Sequence, residues 1–355
     1  MKNILLNPGP ANTTLSIKLA QVVEDVCPRE EEFGRVMEEV SKGLVEFVEG
    51  GDKARAVLFG GSGTLAVEAC ISSVVGSNDK LAIVINGAYG QRIADMAKYA
   101  GINYVAFESD FLKPIDFAKL DEFLQREKPQ FLALIHSETT SGLINDLDSV
   151  SRICKPLNIK IIADCMSSYA CYPLSLDVVD FIIASSNKNI QGMAGISFVI
   201  ANEANILKAT YAKSLYLDLK AQYEYFIHNY QMRFTPPVQT LYALRQAIGE
   251  LKREGLTNRY KRYEKSNKIL RDGLTRLGFD IYPKNSYGVI IAAITLPNDM
   301  EFNELHSYCK ERGYTIYPGK IAGLNMFRIA NIGDIESSDL QGFLDVLETF
   351  LKLKK

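Results

Sequence analysis

The chain has 355 residues, 47% of them apolar, which is enough to build the cores of a large domain and a smaller one. Lysine and arginine number 40 against 42 aspartate and glutamate residues, so the charge balance favours neither a nucleic-acid groove nor an anionic membrane surface. The six cysteines form no CxxC pair and only three histidines are present, so the sequence indicates no zinc site and no disulfide framework.

The N-terminal residues hold one short apolar run before Asn7-Pro-Gly-Pro10, and no later stretch is long enough to span a bilayer. We therefore expect a cytoplasmic protein that binds no metal. Its partners are expected to be small molecules or a second copy of the chain.

Seven short apolar runs follow in the first two hundred residues and indicate buried strands. They span 56–59, 81–85, 104–107, 131–135, 160–163, 180–184 and 196–200. Amphipathic segments lie between several of them, at 64–75, 91–100 and 117–126. This alternation predicts an α/β domain around a mostly parallel seven-stranded sheet.

A glycine-rich turn follows the first of these strands and contains Ser62, Gly63 and Thr64. Its glycines let the backbone approach an anion, and the next helix would present free amide groups and the positive end of its dipole. The turn fits neither G-x-G-x-x-G nor the P-loop motif, so a monophosphate fits better than a nucleotide. The alternative is an ordinary strand-to-helix turn.

Tyr89 follows the second predicted strand in Asn86-Gly-Ala-Tyr-Gly90. At a strand end, its ring could stack on a flat cofactor. Ordinary core packing is the alternative.

Asp164 ends the strand at 160–163. A carboxylate there can keep the pyridine nitrogen of a pyridoxal ring protonated. The alternative is that it caps the next helix. Lys188 stands twenty-four residues later, after one further strand, so adjacent strands could bring both side chains to one crevice.

Lys188 lies in Ser186-Asn-Lys-Asn-Ile-Gln-Gly192, at the carboxyl end of a buried strand. Ligands bind at that edge of open α/β sheets, and a lysine withdrawn from water is suited to form imines with aldehydes. The alternative is a solvated loop lysine.

Beyond Pro236 and Pro237 the sequence predicts one long helical stretch over 238–277, which could bridge two domains. Strand candidates follow at 279–282, 289–295, 314–317 and 326–330, with a final helix over 337–351. We predict a large domain over 14–240 and a smaller α/β domain over 241–355, joined by the N-terminal segment 1–13. Within the smaller domain, Arg328 lies inside an apolar strand, where a buried guanidinium requires an anion, either a structural acid or a substrate carboxylate.

These motifs together resemble those of the class V aminotransferases, which have the fold-type I architecture, and the likeness runs along nearly the whole chain. Besides the segments above, the matching motifs are Cys27-Pro-Arg-Glu-Glu-Glu-Phe33, Glu138-Thr-Thr-Ser-Gly142, Arg233-Phe-Thr-Pro-Pro237, Tyr317-Pro-Gly-Lys320 and Phe327-Arg-Ile-Ala-Asn-Ile-Gly333. Within the family, the chain resembles the branch that moves the amino group of 2-aminoethylphosphonate to pyruvate. The resemblance implies that reaction, with phosphonoacetaldehyde and L-alanine as products.

The same resemblance implies that Lys188 holds pyridoxal 5′-phosphate as a Schiff base and moves the substrate proton. It assigns Asp164 to the pyridine nitrogen and Tyr89 to stacking on the ring. The phosphate cradle that it implies consists of Ser62, Gly63 and Thr64.

It further implies that Thr140 reaches the ring hydroxyl and that Thr235 reaches the phosphate from a neighbouring subunit. The protein would then be a homodimer with active sites at the subunit interface. Arg328 would bind the carboxylate of the 2-oxo acid, and Arg35 or Lys320 would assist with the phosphonate.

Three alternatives remain open from the sequence. One is an alanine:glyoxylate or serine:pyruvate aminotransferase on the same fold. The second is a nucleotide-binding regulatory protein in which Lys188 is structural. The third is a cysteine desulfurase, because Cys165 and Cys171 lie near the predicted site, although neither lies in an evident mobile loop.

Overall fold

The computed structural model describes residues 3–297, 299–321 and 323–354. Outside these ranges lie Met1 and Lys2 of the predicted segment 1–13 and Asn298, Ala322 and Lys355 of the predicted domain 241–355. The strands are β1 Ile4–Leu5, β2 Ala54–Gly60, β3 Leu81–Ile85, β4 Tyr104–Glu108, β5 Phe131–Ile135, β6 Ser137–Glu138, β7 Leu143–Ile144, β8 Lys160–Asp164, β9 Phe181–Ser185, β10 Ile196–Asn202, β11 Ile281–Tyr282, β12 Ile291–Thr295, β13 Tyr314–Thr315, β14 Tyr317–Pro318 and β15 Met326–Ala330. The α-helices are α1 Leu15–Leu19, α2 Glu31–Val45, α3 Gly63–Val74, α4 Ala88–Tyr99, α5 Phe117–Glu127, α6 Leu147–Cys154, α7 Glu203–Leu207, α8 Leu219–Asn229, α9 Val238–Glu254, α10 Leu256–Arg276, α11 Phe302–Glu311 and α12 Ser337–Leu353. No helix within the described residues combines the length and the apolar character needed to cross a membrane.

A seven-stranded sheet with the order β2-β10-β9-β8-β5-β3-β4 forms the centre of the larger part of the chain. Only β10 runs against its neighbours, and the remaining pairs are parallel. The carboxyl ends of β2, β3, β5, β8 and β9 therefore lie at one edge. In an open α/β sheet, this is the edge at which ligands bind.

The seven predicted runs all become strands of this mostly parallel sheet. The side chains of the inner strands are buried on both faces because helices cover both sides, whereas the edge strand β4 is only half-buried. One core joins α2, α5, α6 and α9 to the sheet, and a second joins α3, α4 and α8 to the opposite face. Strands covered on both faces have no polar alternation, which is why they appear in the sequence as continuous apolar runs.

A four-stranded antiparallel sheet, β11-β12-β15-β14, lies in the C-terminal part and packs against α10, α11 and α12. The single strand predicted over 314–317 is wrong. It is divided at Ile316, since β13 pairs with β1 of the N-terminal segment while β14 pairs with β15. Ile4 and Leu6 thereby join the C-terminal core.

The single long helix predicted over 238–277 is also wrong, because α9 ends and α10 begins at Gly255. Gly255 has φ 81° and ψ 145°, a conformation that is essentially restricted to glycine. The buried side chains of α9, such as Leu244 and Leu251, pack in the core of the large sheet, whereas Leu270 and Leu274 of α10 pack in the C-terminal core. The two-domain division stays a prediction, and this packing favours a boundary near Gly255 rather than at 240.

Candidate active site

A cavity of about 510 Å³ opens at the carboxyl edge of the large sheet. Residues that follow β2, β3, β5, β8 and β9 line it, as expected if one edge collects the functional side chains. Six of the predicted site residues are among them: Ser62, Gly63, Thr64, Tyr89, Asp164 and Lys188. The structure thus brings together groups that are up to 126 positions apart in the chain.

The amine of Lys188 lies beneath the N-terminal segment. Its Nζ donates a hydrogen bond to the carbonyl oxygen of Pro8 at 2.6 Å. Burial lowers the pKa of Lys188, because desolvation disfavours the ammonium form, although Tyr89 and Asp164 oppose the shift. A larger fraction of neutral amine makes the lysine a better nucleophile and base.

Asp164 is the last residue of β8 and its side chain is 8% exposed. Oδ1 accepts a hydrogen bond from the backbone N–H of Met166 at 3.0 Å. Burial raises the pKa of this carboxyl to about 6, and the nearby Glu138 adds to the shift. A buried carboxylate without enough compensation is stabilised by a cationic partner, which a protonated pyridine nitrogen would supply.

The first turn of α3 forms one end of the cavity. Ser62 occupies its N-cap position with an extended backbone, but its side chain makes no capping hydrogen bond, and the first turn contains no acidic residue. Ser62 and Thr64 are exposed residues. An uncapped helix N-terminus with free hydroxyls is a favourable site for a phosphate group.

Tyr89 lies in the first turn of α4, and two cations lie close to its ring. The Arg92 guanidinium carbon and the Lys320 Nζ lie 4.9 Å and 5.0 Å from the ring centroid. Burial alone would raise the pKa of Tyr89, but the charges of Lys320 and Lys188 and a hydrogen bond with Thr139 bring it below its ordinary value. Stacking of this ring on a cofactor stays a prediction.

Arg328 lies in β15 with its side chain fully buried. Nε donates to the carbonyl oxygen of Pro318 at 2.9 Å, and Nη1 donates to that of Thr139 at 2.8 Å. Nη2 is buried and has no hydrogen-bond partner among the described residues. Tyr89 and the Glu138 carboxylate lie close enough to favour the charged guanidinium, and a substrate carboxylate can supply the hydrogen-bond acceptor that Nη2 lacks.

Five predicted residues do not line the cavity: Arg328, described above, and Thr140, Thr235, Lys320 and Arg35. Thr140 is buried, and its hydroxyl accepts a hydrogen bond from the N–H of Ala88 at 3.0 Å. Thr235 and Lys320 are exposed. Arg35 lies on the exposed face of α2 and pairs with Glu31 at 2.6 Å, so no contact among the described residues of one subunit supports its assignment to the phosphonate.

Several site residues were not assigned from the sequence, although most lie in motifs that matched the family. Thr139, rather than Thr140, lines the cavity, and Ser185 and Asn187 line it before the lysine. Gly9 lies against Lys188, since a Cβ built on it would meet the lysine Nζ at 2.5 Å. Glu138 is fully buried and accepts from the N–H of Thr140 at 2.8 Å, which fixes the segment that carries Thr139.

Cys165 and Cys171 are both fully buried free thiols. Burial raises the pKa of each well above the ordinary thiol value. Because the thiolate is the reactive form, neither cysteine has the environment of a nucleophile.

A family model for class V aminotransferases matches residues 13–332. The chain belongs to the class V aminotransferases. It is 35% identical to a 2-aminoethylphosphonate–pyruvate transaminase from Lysinibacillus sphaericus, covering 99% of this chain and 98% of the relative. It is 36% identical to one from Lactiplantibacillus plantarum, covering 99% of each.

A third relative is the bifunctional phosphonoacetaldehyde hydrolase/aminoethylphosphonate transaminase from Clostridioides difficile, which is 36% identical over 98% of this chain. The chain spans 56% of the length of that protein. Among solved structures, the alanine–glyoxylate aminotransferase from Nostoc sp. superposes with a TM-score of 0.92 at 24% identity, covering 99% of this chain and 96% of that one. The pyridoxamine–pyruvate aminotransferase from Mesorhizobium loti superposes with a TM-score of 0.90 at 19% identity, covering 99% and 93%. At these identities the two structures show the fold, and they confirm the predicted fold-type I architecture.

Class V aminotransferases use pyridoxal 5′-phosphate, and this is the cofactor of the present chain. The cavity fits it in three respects: an uncapped helix N-terminus for the phosphate, a buried carboxylate for the ring nitrogen and an enclosed lysine amine for the aldehyde.

Proposed function

We propose that the protein transfers the amino group of 2-aminoethylphosphonate to pyruvate, giving phosphonoacetaldehyde and L-alanine. The observation that carries the proposal is the buried Arg328, whose Nη2 has no acceptor among the described residues. Together with Lys320, which lies beside Tyr89, it supplies positive charge that suits substrates carrying a carboxylate or a phosphonate. The relatives named for this reaction, at 35–36% identity over nearly the whole chain, support the same proposal.

Bound pyridoxal phosphate withdraws electrons from the substrate and acidifies the proton on its amino-bearing carbon. Lys188 supplies the amine that takes this proton, and the lowered pKa favours the neutral form that can accept it. Asp164 holds the ring nitrogen protonated. Ser62, Gly63 and Thr64 hold the phosphate.

Arg328 and Lys320 divide the recognition of anions. The planar guanidinium of Arg328 is buried and can bind a carboxylate in a fixed direction. Lys320 is exposed beside Tyr89. Its flexible ammonium can pair with a phosphonate group that is only partly inside the cavity. We assign the carboxylate to Arg328 and the phosphonate to Lys320.

The proposal includes a homodimer in which Thr235 contacts the phosphate of the neighbouring subunit. Thr235 is exposed and does not line the cavity of its own subunit, which supports such a role. Leu15, Leu19 and Val22 of the first helix and the following turn are 68%, 57% and 81% exposed, which favours a partner surface. A cytoplasmic location stays a prediction.

A panel of amino donors with pyruvate as the acceptor tests the proposed reaction. We expect alanine to form from 2-aminoethylphosphonate faster than from serine or from other amino acids. Brisk turnover of serine, or of alanine with glyoxylate, together with no turnover of the phosphonate would reject the proposal in favour of the corresponding aminotransferase.

The visible absorbance of the purified protein tests the role of Lys188 separately. We expect an absorbance band from the lysine-bound cofactor that borohydride bleaches and that K188A lacks. A wild-type protein that stays colourless with added pyridoxal phosphate would contradict this role whatever the donor.

A further inference from the structure

We propose that Arg259 is a positioning residue for Lys188: it holds the backbone that follows the lysine and is itself held by Glu254. This goes beyond the transfer reaction and rests on the proposed role of Lys188. Arg259 lies in α10, seventy-one positions beyond the lysine, and no motif of the sequence points to it.

The guanidinium of Arg259 connects two fixed partners. Nη1 donates to the carbonyl oxygen of Asn189, the residue directly after Lys188. Nε and Nη2 donate to one carboxylate oxygen of Glu254 at 2.7 Å and 2.6 Å. The Arg259 side chain is 2% exposed, so this arrangement is screened little by solvent.

Glu254 is the last residue of α9, and its carboxylate also accepts from Nε of Arg262 at 2.8 Å. Burial would raise the pKa of Glu254, but the hydrogen bonds from Arg262 and Arg259 bring it below its ordinary value. The carboxylate therefore remains ionised at neutral pH. It holds Arg259 at the junction of α9 and α10.

The lysine segment is fixed on its other sides as well. The side-chain amide of Asn189 donates to the carbonyl oxygens of Ser167 and Tyr169 at 3.0 Å and 3.2 Å, directly beyond Asp164. Gln191, whose φ of 68° is rare for a residue with a side chain, donates to the hydroxyl of Tyr263 at 2.8 Å. Arg259 thus completes a set of contacts on the turn that aims Lys188.

The choice of a charged side chain at this place supports a positioning role. A buried ion pair is rarely more stabilising than an apolar replacement of similar volume, but it fixes direction through several hydrogen bonds. A lysine amine that must serve first the cofactor and then the substrate needs such a fixed direction. Displacement of about 1 Å at a reacting group costs about 100-fold in rate.

The test compares R259M and R259K with R262M, a matched control that removes the other arginine on Glu254 but leaves the contact to Asn189. We expect R259M to lower kcat about 100-fold with KM for pyruvate within about threefold of wild type. We expect R259K to lower it about tenfold, since one ammonium cannot reproduce the guanidinium fork. R262M should keep kcat within about threefold.

Visible circular dichroism of the lysine-bound chromophore supplies a readout that stability alone does not move. We expect its intensity per unit absorbance to change in R259M and R259K and to stay unchanged in R262M, while thermal unfolding gives the stability of each protein. If R259M does not fold, R259K decides the question, since it keeps the positive charge beside Glu254.

Two results would overturn the proposal: wild-type kcat and dichroism in R259K, or equal losses in R262M and R259M. A wild-type protein whose chromophore equals that of K188A would reject the proposed role of Lys188, and this inference with it. Failure of the amino-donor panel with an intact chromophore would reject only the proposed substrate.

Discussion

Asp164 is the residue whose charge should depend most clearly on the cofactor. In the cofactor-free protein its pKa is raised to about 6 from an ordinary 3.8, so the folded chain binds its proton more tightly than the unfolded chain does. Below pH 3.8 the carboxyl is neutral in both the folded and the unfolded chain. Between pH 3.8 and pH 6 the unfolded chain loses this proton first, so the folded state is progressively destabilised, and above pH 6 the destabilisation is complete. D164N should therefore stabilise the cofactor-free protein at pH 8 by on the order of 3 kcal/mol, and by little at pH 3.5.

Urea unfolding of both cofactor-free proteins at the two pH values measures this difference. Comparison with the variant cancels the contribution of His136, whose pKa burial lowers to about 4. An equal effect of D164N at both pH values would show that the carboxyl is not the source of the pH dependence.

Arg328 supports a second prediction at this scale, based on its unpaired Nη2. R328K should lower kcat/KM for pyruvate about 100-fold, because a charged hydrogen bond contributes about 3 kcal/mol and a single ammonium cannot keep the contacts to Pro318 and Thr139 while it also reaches the carboxylate. For acetaldehyde, which has no carboxylate, we expect a change of less than about fivefold. The ratio of the two substrates separates lost recognition from general damage, and a uniform loss would argue against the assignment.

Residues at strand ends could be predicted from the sequence, whereas residues that approach from elsewhere could not. Asp164 and Lys188 each follow an apolar run, so the parallel-sheet rule alone places them at one edge. Pro8 reaches Lys188 across 180 positions through a backbone carbonyl, which leaves no trace in the identity of the side chain. The choice between Thr139 and Thr140 depended on the direction of two neighbouring side chains, which the motif does not specify.

At the scale of whole elements, the break between α9 and α10 supports a prediction about stability. G255A should destabilise the protein by about 2 kcal/mol, because alanine is strained at φ 81°. G249A is the matched control in the middle of α9: the nearest atom to its added Cβ would lie 3.7 Å away, so alanine fits and should stabilise by about 1 kcal/mol. Thermal unfolding of the two variants should shift in opposite directions, and a stabilising G255A would show that the helices can join.

The bounds of the buried strands could be predicted from the sequence, whereas the break between α9 and α10 could not. Strands buried on both faces, such as β3 and β5, were predicted with the bounds that the structure has, because continuous apolar runs have definite ends. The break at Gly255 was missed, since single glycines are tolerated inside helices and the flanking residues are good helix formers. The chain turns there because α9 packs in the core of the large sheet and α10 in the C-terminal core, and the local sequence does not show this difference.

The N-terminus of α3 supports a further prediction. T64D should weaken the binding of pyridoxal phosphate by at least about tenfold, because it places a negative charge where the helix dipole and free amides would hold the phosphate. Thr64 is exposed, so the substitution should leave the fold intact. The isosteric T64V loses only the hydroxyl and should weaken binding by about threefold to tenfold, as an absorbance titration of the cofactor-free protein can measure.

At the scale of the whole molecule, the proposed dimer predicts that two inactive variants can restore each other. If Thr235 serves the partner's site, a mixed dimer of K188A and T235E contains one site with both defects and one site with neither. Random reassociation makes half of the dimers mixed, so activity should recover to about a quarter of the wild-type value. Each variant alone is expected to be inactive, since T235E would repel the phosphate.

The control mixes K188A with S62D, whose side chains line the same cavity in one subunit. Each site of that mixed dimer carries one defect, so no activity should return. Recovery with T235E but not with S62D therefore requires Thr235 to act across the subunit interface, because a contribution within one subunit gives the same result for both mixtures. Size-exclusion chromatography establishes that exchange took place, and a failure of T235E to restore activity in exchanged dimers would assign Thr235 to its own subunit.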